Sequence, residues 1–237
     1  MHILDVKNLT VAFNGINVLE NINFSVNEGD SFAIIGPNGS GKTVLFRALL
    51  NTLPYSGEIN WDSHVKIGYV PQRLYIERDL PFTLGEFLKT KAKIFGISQK
   101  HIDELLDLVN LSKLDLARPL GKLSIGQFQR ALITFALIGN PNVLLFDEPT
   151  ASMDPAGEEQ IYDTLHKLQD RKNLTVILVS HDINMVYKKA NKVLCINKRQ
   201  VCFGAPHATL TAENLEKIFG GHHKLYHHIH NGNIHTK

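Results

Sequence analysis

FAIIGPNGSGKT, residues 32–43, is the stretch on which the fold turns. Its first four residues are apolar, and Gly36, Gly39, Gly41, Lys42 and Thr43 then meet the spacing GxxxxGK[ST]. An apolar run of this kind suits a parallel strand covered on both faces, and the pattern after it predicts a helix starting near Lys42. The loop between them runs Gly36, Pro37, Asn38, Gly39, Ser40, Gly41. Its glycines let backbone N–H groups close around phosphate, and the helix N-terminus adds its positive dipole. Lys42 brings a point charge to the outer phosphates, and the Thr43 hydroxyl suits Mg²⁺.

Two further apolar runs, residues 143–146 and 175–179, each end in a polar turn and read as strands of the same sheet. The first delivers Asp147 and Glu148 at its carboxyl end, where open α/β sheets bind their ligands. There Asp147 can hold Mg²⁺, and Glu148 is placed to polarise an attacking water. Helical spacing separates the strands: Pro155 opens one pattern with Ile161, Leu165 and Leu168 on one face, and Ser98 caps another through Ile102, Leu105, Leu106 and Val109. The alternation predicts an α/β fold with a parallel sheet. Residues 83–140 read as a helical lobe set between sheet strands, and the first thirty residues with the segment 59–70 read as short strands of a β lobe. The predicted arrangement is one domain over 1–220 and a flexible tail over 221–237.

Composition narrows the class. A net charge of +2 offers no concentrated basic face, so nucleic acid is not an expected partner. No run approaches the roughly 18 apolar residues of a membrane span, and residues 1–10 lack the basic and apolar regions of a secretion signal. Cys195 and Cys202 form no CxxC pair and read as two small apolar residues in strands, with neither a disulfide framework nor a zinc site implied.

Leu123, Ser124, Ile125, Gly126 and Gln127 complete the pattern. With them the chain resembles the ABC ATPases, whose Walker A, Q-loop, signature, Walker B, D-loop and switch histidine stand here in order as GPNGSGKT, Gln72, LSIGQ, VLLFDE, ASMD ending at Asp154, and His181. The resemblance covers nearly everything before Gly220. It implies a P-loop ATPase core with a parallel sheet, an antiparallel β lobe and an inserted helical lobe. It further implies ATP and Mg²⁺ as cofactors and a head-to-tail homodimer in which Ser124 and the backbone of Gly126 of one protomer meet the γ-phosphate held by the other. Gln127 belongs to the same implied nucleotide contact. Gln72 would sense Mg²⁺ and the attacking water, Asp154 would contact the opposite protomer, and His181 would hold the γ-phosphate and water in register. Phe13 falls where the family places an aromatic under adenine, the alternative being a strand-end core residue. Ile125 replaces the commoner glycine and would tolerate a positive φ poorly.

The run IGYVPQ at 67–72, the run LPFTLGEFL at 80–88 and the chain's length resemble the ATP-binding subunits of zinc, manganese and iron importers. The stretch before the signature, LARPLGK at 116–122, lacks the TxVGExG-like segment of many exporters. The implied function is an ATPase on the cytoplasmic face of the membrane, attached through permease subunits and served indirectly by a substrate-binding protein. The alternatives are a transporter for a non-metal solute, a soluble ABC protein outside transport, and a nucleotide sensor without turnover; Glu148 and His181 argue for hydrolysis. Gln72 and the segment after it, roughly residues 73–87, are expected to dock a short helix of the permease, so that substitutions at Leu84 or Phe87 damage transport more than basal hydrolysis. The tail carries His222, His223, His227, His228, His230 and His235. It reads either as a solvated segment or as a zinc-binding one.

Overall fold

A computed structural model describes residues 1–72, 81–148 and 155–220. In chain order its strands are β1 His2–Phe13, β2 Ile16–Asn27, β3 Ser31–Ile35, β4 Ser56–Trp61, β5 Ile67–Val70, β6 Val143–Asp147, β7 Thr175–Val179, β8 Lys192–Asn197 and β9 Arg199–Gly204. Its helices are α1 Lys42–Leu49, α2 Leu84–Phe95, α3 Gln99–Leu108, α4 Ile125–Leu137, α5 Pro155–Lys172, α6 Ile183–Lys189, α7 Pro206–Thr209 and α8 Ala212–Phe219. Two 3₁₀ turns, Lys113–Ala117 and Leu120–Lys122, lead into α4.

The strands follow the order β4-β1-β2-β9-β8-β3-β7-β6-β5. From β8 to β5 they are parallel neighbours. Their residues divide by alternation between two cores. Ala33, Ile35, Leu144, Phe146, Val176 and Leu178 face α4, α5 and the helical lobe. Phe32, Ile34, Val143, Leu145, Ile177 and Val179 face α1 and the β lobe. Burial on both faces is why these runs are apolar without interruption.

The antiparallel lobe departs from the short strands expected. β1 and β2 are 12 residues each and pair as a hairpin through Asn14 and Gly15, both at positive φ. Such a turn matches the right-handed twist of the flanking strands, so the hairpin extends. The segment 59–70 is also divided. β4 joins β1, whereas β5 pairs parallel with β6 in the core sheet. Gly68 permits this, because a Cβ there would lie 2.7 Å from the Ala136 carbonyl at the end of α4.

The cysteines are strand residues, as read, but they are not independent: β8 and β9 place Cys195 directly opposite Cys202, and the structure joins them as a disulfide. Register across an antiparallel pair brings them together, and sequence spacing alone carries no trace of it.

The loop after β3 is seated against β8. Lys198 N–H donates to the Ser40 carbonyl at 3.1 Å. A Cβ on Gly36 would overlap the Ile196 carbonyl and come within 2.6 Å of Ser40 Oγ. Gly36→Ala is therefore expected to cost about 1–3 kcal/mol, the usual penalty of overpacking, and to weaken nucleotide binding as the loop lifts. Thermal unfolding with and without ATP checks this; an unchanged melting temperature would mean the loop can shift freely.

Candidate functional site

Four strand ends, those of β3, β6, β5 and β7, build the site. β3 leads through the loop into α1, whose N-cap Gly41 sits at φ 101°, with Leu19 Cδ2 only 2.5 Å from where its Cβ would be. A side chain there meets both strain and a clash. Lys42 follows, its side chain buried, and its ammonium donates to the carbonyls of Gly36 at 2.9 Å and Pro37 at 3.0 Å. It also lies 3.4 Å from Glu148 Oε1.

β6 ends beside it. Asp147 is 1% exposed, and its Oδ1 accepts from the Thr43 hydroxyl at 3.5 Å. Burial pushes its carboxyl up to about 6, with the Glu148 charge adding to the rise and Thr43 and Lys42 opposing it. The next residue, Glu148, holds a left-handed backbone at φ 42°, a conformation that costs a non-glycine residue of order 1–3 kcal/mol. That turn carries its carboxylate to Lys42 and to the Gln72 amide, which donates to Glu148 Oε2. Gln72 stands just past β5, the strand next to β6. The end of β7 presents His181.

A cleft of about 780 Å³ joins these groups. Of the residues singled out in the sequence, Asn38, Gly39, Gly41, Lys42, Thr43, Gln72, Glu148 and His181 line it. Gly36, Pro37, Ser40 and Asp147 support the lining from behind. Val18 and Val44 also line it and were missed, because an apolar residue in a strand or helix reads as core. Phe13 is 42% exposed at the end of β1, which removes the strand-end core alternative, although the cleft wall is formed by Val18 and not by Phe13.

The signature residues sit away from this cleft at the start of α4. Ser124 is its N-cap, and Ile125 takes an ordinary first-turn backbone; it is absent from the positive-φ residues, so the strain expected there does not arise. Gln127 closes a capping box: its N–H donates to Ser124 Oγ at 3.2 Å, and its Oε1 accepts from Ser124 N–H at 2.9 Å. Its Nε2 donates to buried Asp115 at 3.2 Å. The Gln127 amide is thus engaged within its own chain, and Ser124 keeps its hydroxyl hydrogen for another acceptor. Asp154, residues 73–80 and the histidines of the tail lie outside the described residues. Leu84 is fully buried and can act on a docking face only through the packing beneath it, whereas Phe87 is half-buried and stacks on Phe135 with ring centroids 4.3 Å apart.

The site suits a triphosphate with a hard cation. Ser40 Oγ is buried beside the loop without a hydrogen-bond partner. Nothing lies within 4 Å of where a Gly39 side chain would begin, so the loop backbone is open to the cleft. The Thr43 hydroxyl and Asp147 carboxylate form an oxygen donor set of the kind Mg²⁺ prefers.

Raising an acid's pKa in the fold makes folding less favourable as the proton leaves. The Asp147 contribution is largest below its ordinary value of 3.8 and is lost as pH rises to about 6. Asp147→Asn, measured without nucleotide, should therefore melt higher than wild type at pH 8 and converge with it near pH 4. Equal melting temperatures at pH 8 would contradict the burial argument.

The fold is that of a P-loop nucleotide-binding protein. Residues 19–151 match the family model described as "ABC transporter", and the chain belongs to that family. It is 36% identical to the zinc import ATP-binding protein ZnuC of Pasteurella multocida, over 97% of this chain and 88% of that protein. It is 39% identical to a Thermotoga maritima protein named as a probable metal transport system ATP-binding protein, over 96% and 98% respectively. Among solved structures it resembles a protein described as a metal-chelate type ABC transporter in an inward-facing conformation, with TM-score 0.82 and 29% identity over 92% of this chain and 89% of that one.

Proposed function

We propose that this chain is the ATP-hydrolysing subunit of an ABC importer for a divalent metal ion, zinc, manganese or iron. The observation that carries hydrolysis is the meeting of Lys42, Thr43, Glu148, Gln72 and His181 in one cleft, with Asp147 bonded to Thr43 behind them. The metal substrate is supported by the names of relatives that align along nearly the whole chain.

In this reading the loop from Gly36 to Gly41 wraps the phosphates and Lys42 adds charge at their outer end. Thr43, Asp147 and Gln72 supply the oxygen donors for Mg²⁺, which when bound neutralises phosphate charge. Glu148 accepts the proton of the attacking water, and His181 donates toward the γ-phosphate. Phe13 and Val18 lie toward the base. Ser124 and the Gly126 N–H serve a second protomer's nucleotide from the N-terminus of α4, Gln127 holds Ser124 for that contact, and Asp154 meets the opposite protomer. The working unit is a head-to-tail homodimer beneath permease subunits on the cytoplasmic face of the membrane, served indirectly by a substrate-binding protein. Residues 1–220 act as one ATPase domain. Among the described residues no helix is long and apolar enough to cross a membrane, so attachment through a permease is the arrangement that fits.

Reconstitution with the permease tests the proposal. ATPase activity should rise with a binding protein loaded with Zn²⁺, Mn²⁺ or Fe²⁺. Stimulation by a non-metal solute alone would overturn the metal assignment, and absence of any hydrolysis would overturn the enzyme.

A further inference from the structure

Tyr162 lies on α5 in the buried row with Ile161, Leu165 and Leu168, and it is 3% exposed. Phenylalanine would fill such a position equally well, and a buried hydroxyl is costly unless it is bonded. Among the described residues the Tyr162 hydroxyl pairs with Ser180 Oγ at 2.9 Å, itself 3% exposed. Burial pushes the phenol up to about 12, so it stays a neutral hydroxyl at working pH.

Ser180 is the residue before His181. Its Oγ also accepts from Asp182 N–H at 3.1 Å, so one hydroxyl spans the residue that carries the imidazole. The rest of the turn is fastened to rigid elements. Ser180 N–H donates to the Ile34 carbonyl in β3 at 3.1 Å. Asp182 caps α6, accepting from Asn184 and Met185 N–H. His181 is exposed between these anchors and lines the cleft. The Tyr162 hydroxyl therefore ties the switch turn to α5, the helix that follows directly on residues 149–154.

We propose that Tyr162 is a positioning residue for His181, holding through Ser180 the turn that aims the imidazole into the cleft. The inference rests on the ATPase reading above, in which His181 faces the γ-phosphate.

The test uses the full chain and steady-state ATP hydrolysis. Tyr162→Phe deletes one oxygen. Loosening the turn that carries His181 should lower kcat roughly tenfold with KM for ATP little changed, while the lost bond lowers the melting temperature by only about 2–4 °C. The decisive comparison is Tyr162→Phe in a His181→Ala background. A residue that acts through His181 adds nothing there, because the group it positions is gone. Ser180→Ala should behave like Tyr162→Phe and Ser180→Thr should recover much of the rate, which covers the case that one variant folds poorly. In ¹³C-histidine-labelled protein, the ring signal absent from His181→Ala should shift in Tyr162→Phe, while those of His64 and His101 stay in place. Wild-type kcat in Tyr162→Phe, or the same proportional loss with and without His181, would overturn the proposal and leave the ATPase reading intact. Near-normal hydrolysis in His181→Ala would remove His181 from the reaction and this proposal with it.

Discussion

Glu148→Gln is expected to slow ATP hydrolysis by a factor of about 10²–10⁴, the range associated with a positioned general base. The amide has the shape of the carboxylate and can still accept from Lys42, which lies 3.4 Å from Oε1. What it loses is basicity. The left-handed backbone at Glu148 should persist, since glutamine meets the same cost there as glutamate. ATP binding should therefore survive, and with turnover blocked an ATP-bound dimer should accumulate on gel filtration with ATP and Mg²⁺. A second consequence is electrostatic. The Glu148 charge helps to raise the Asp147 carboxyl, so its removal should move Asp147 back toward the ordinary carboxylate range. Wild-type turnover together with a persistent monomer would remove Glu148 from the reaction.

Lys42→Ala should fail earlier, at binding. The ammonium now satisfies the buried carbonyl of Gly36 and the half-buried one of Pro37, and an unmet buried carbonyl such as that of Gly36 costs about 1–3 kcal/mol. The variant should melt lower than wild type for that reason alone. It also removes the cation beside Glu148 and the charge meant for the phosphates, an effect on hydrolysis on the order of 10²–10³. A ligand that binds only the folded state raises its melting temperature, by an amount that grows with the logarithm of ligand concentration over Kd. Wild type should show such a rise with ATP and Mg²⁺, and Lys42→Ala almost none. An equal rise in both would show that phosphate is held without this side chain.

The legible part of the site was the part made by neighbours in sequence. A phosphate loop is one continuous segment whose glycines, lysine and threonine act within a few residues of one another, so spacing alone reports it. The acidic pair at the end of β6 is legible for the same reason, whereas the capping box at Ser124 was not read although its residues stand only three apart. The segment at 59–70 was harder. Both of its strands were visible as strands, but their partners lie far along the chain, and nothing local says that β4 joins β1 while β5 joins β6.

By itself, then, the sequence determined the local chemistry and the order of elements: alternating apolar runs that demand burial on both faces, and turns whose residue types permit only certain backbones. Tertiary structure alone decided which distant groups share a bond. It set Gln72 and Lys42 on the same Glu148 carboxylate, placed Cys195 across from Cys202, buried Leu84 while stacking a half-buried Phe87 on Phe135, and brought the Tyr162 hydroxyl to the residue before His181. The physical reason is that a side chain's type and its neighbours limit what it can do locally, whereas a hydrogen bond or ion pair between distant residues depends on a few tenths of an ångström that strand register and helix packing settle together.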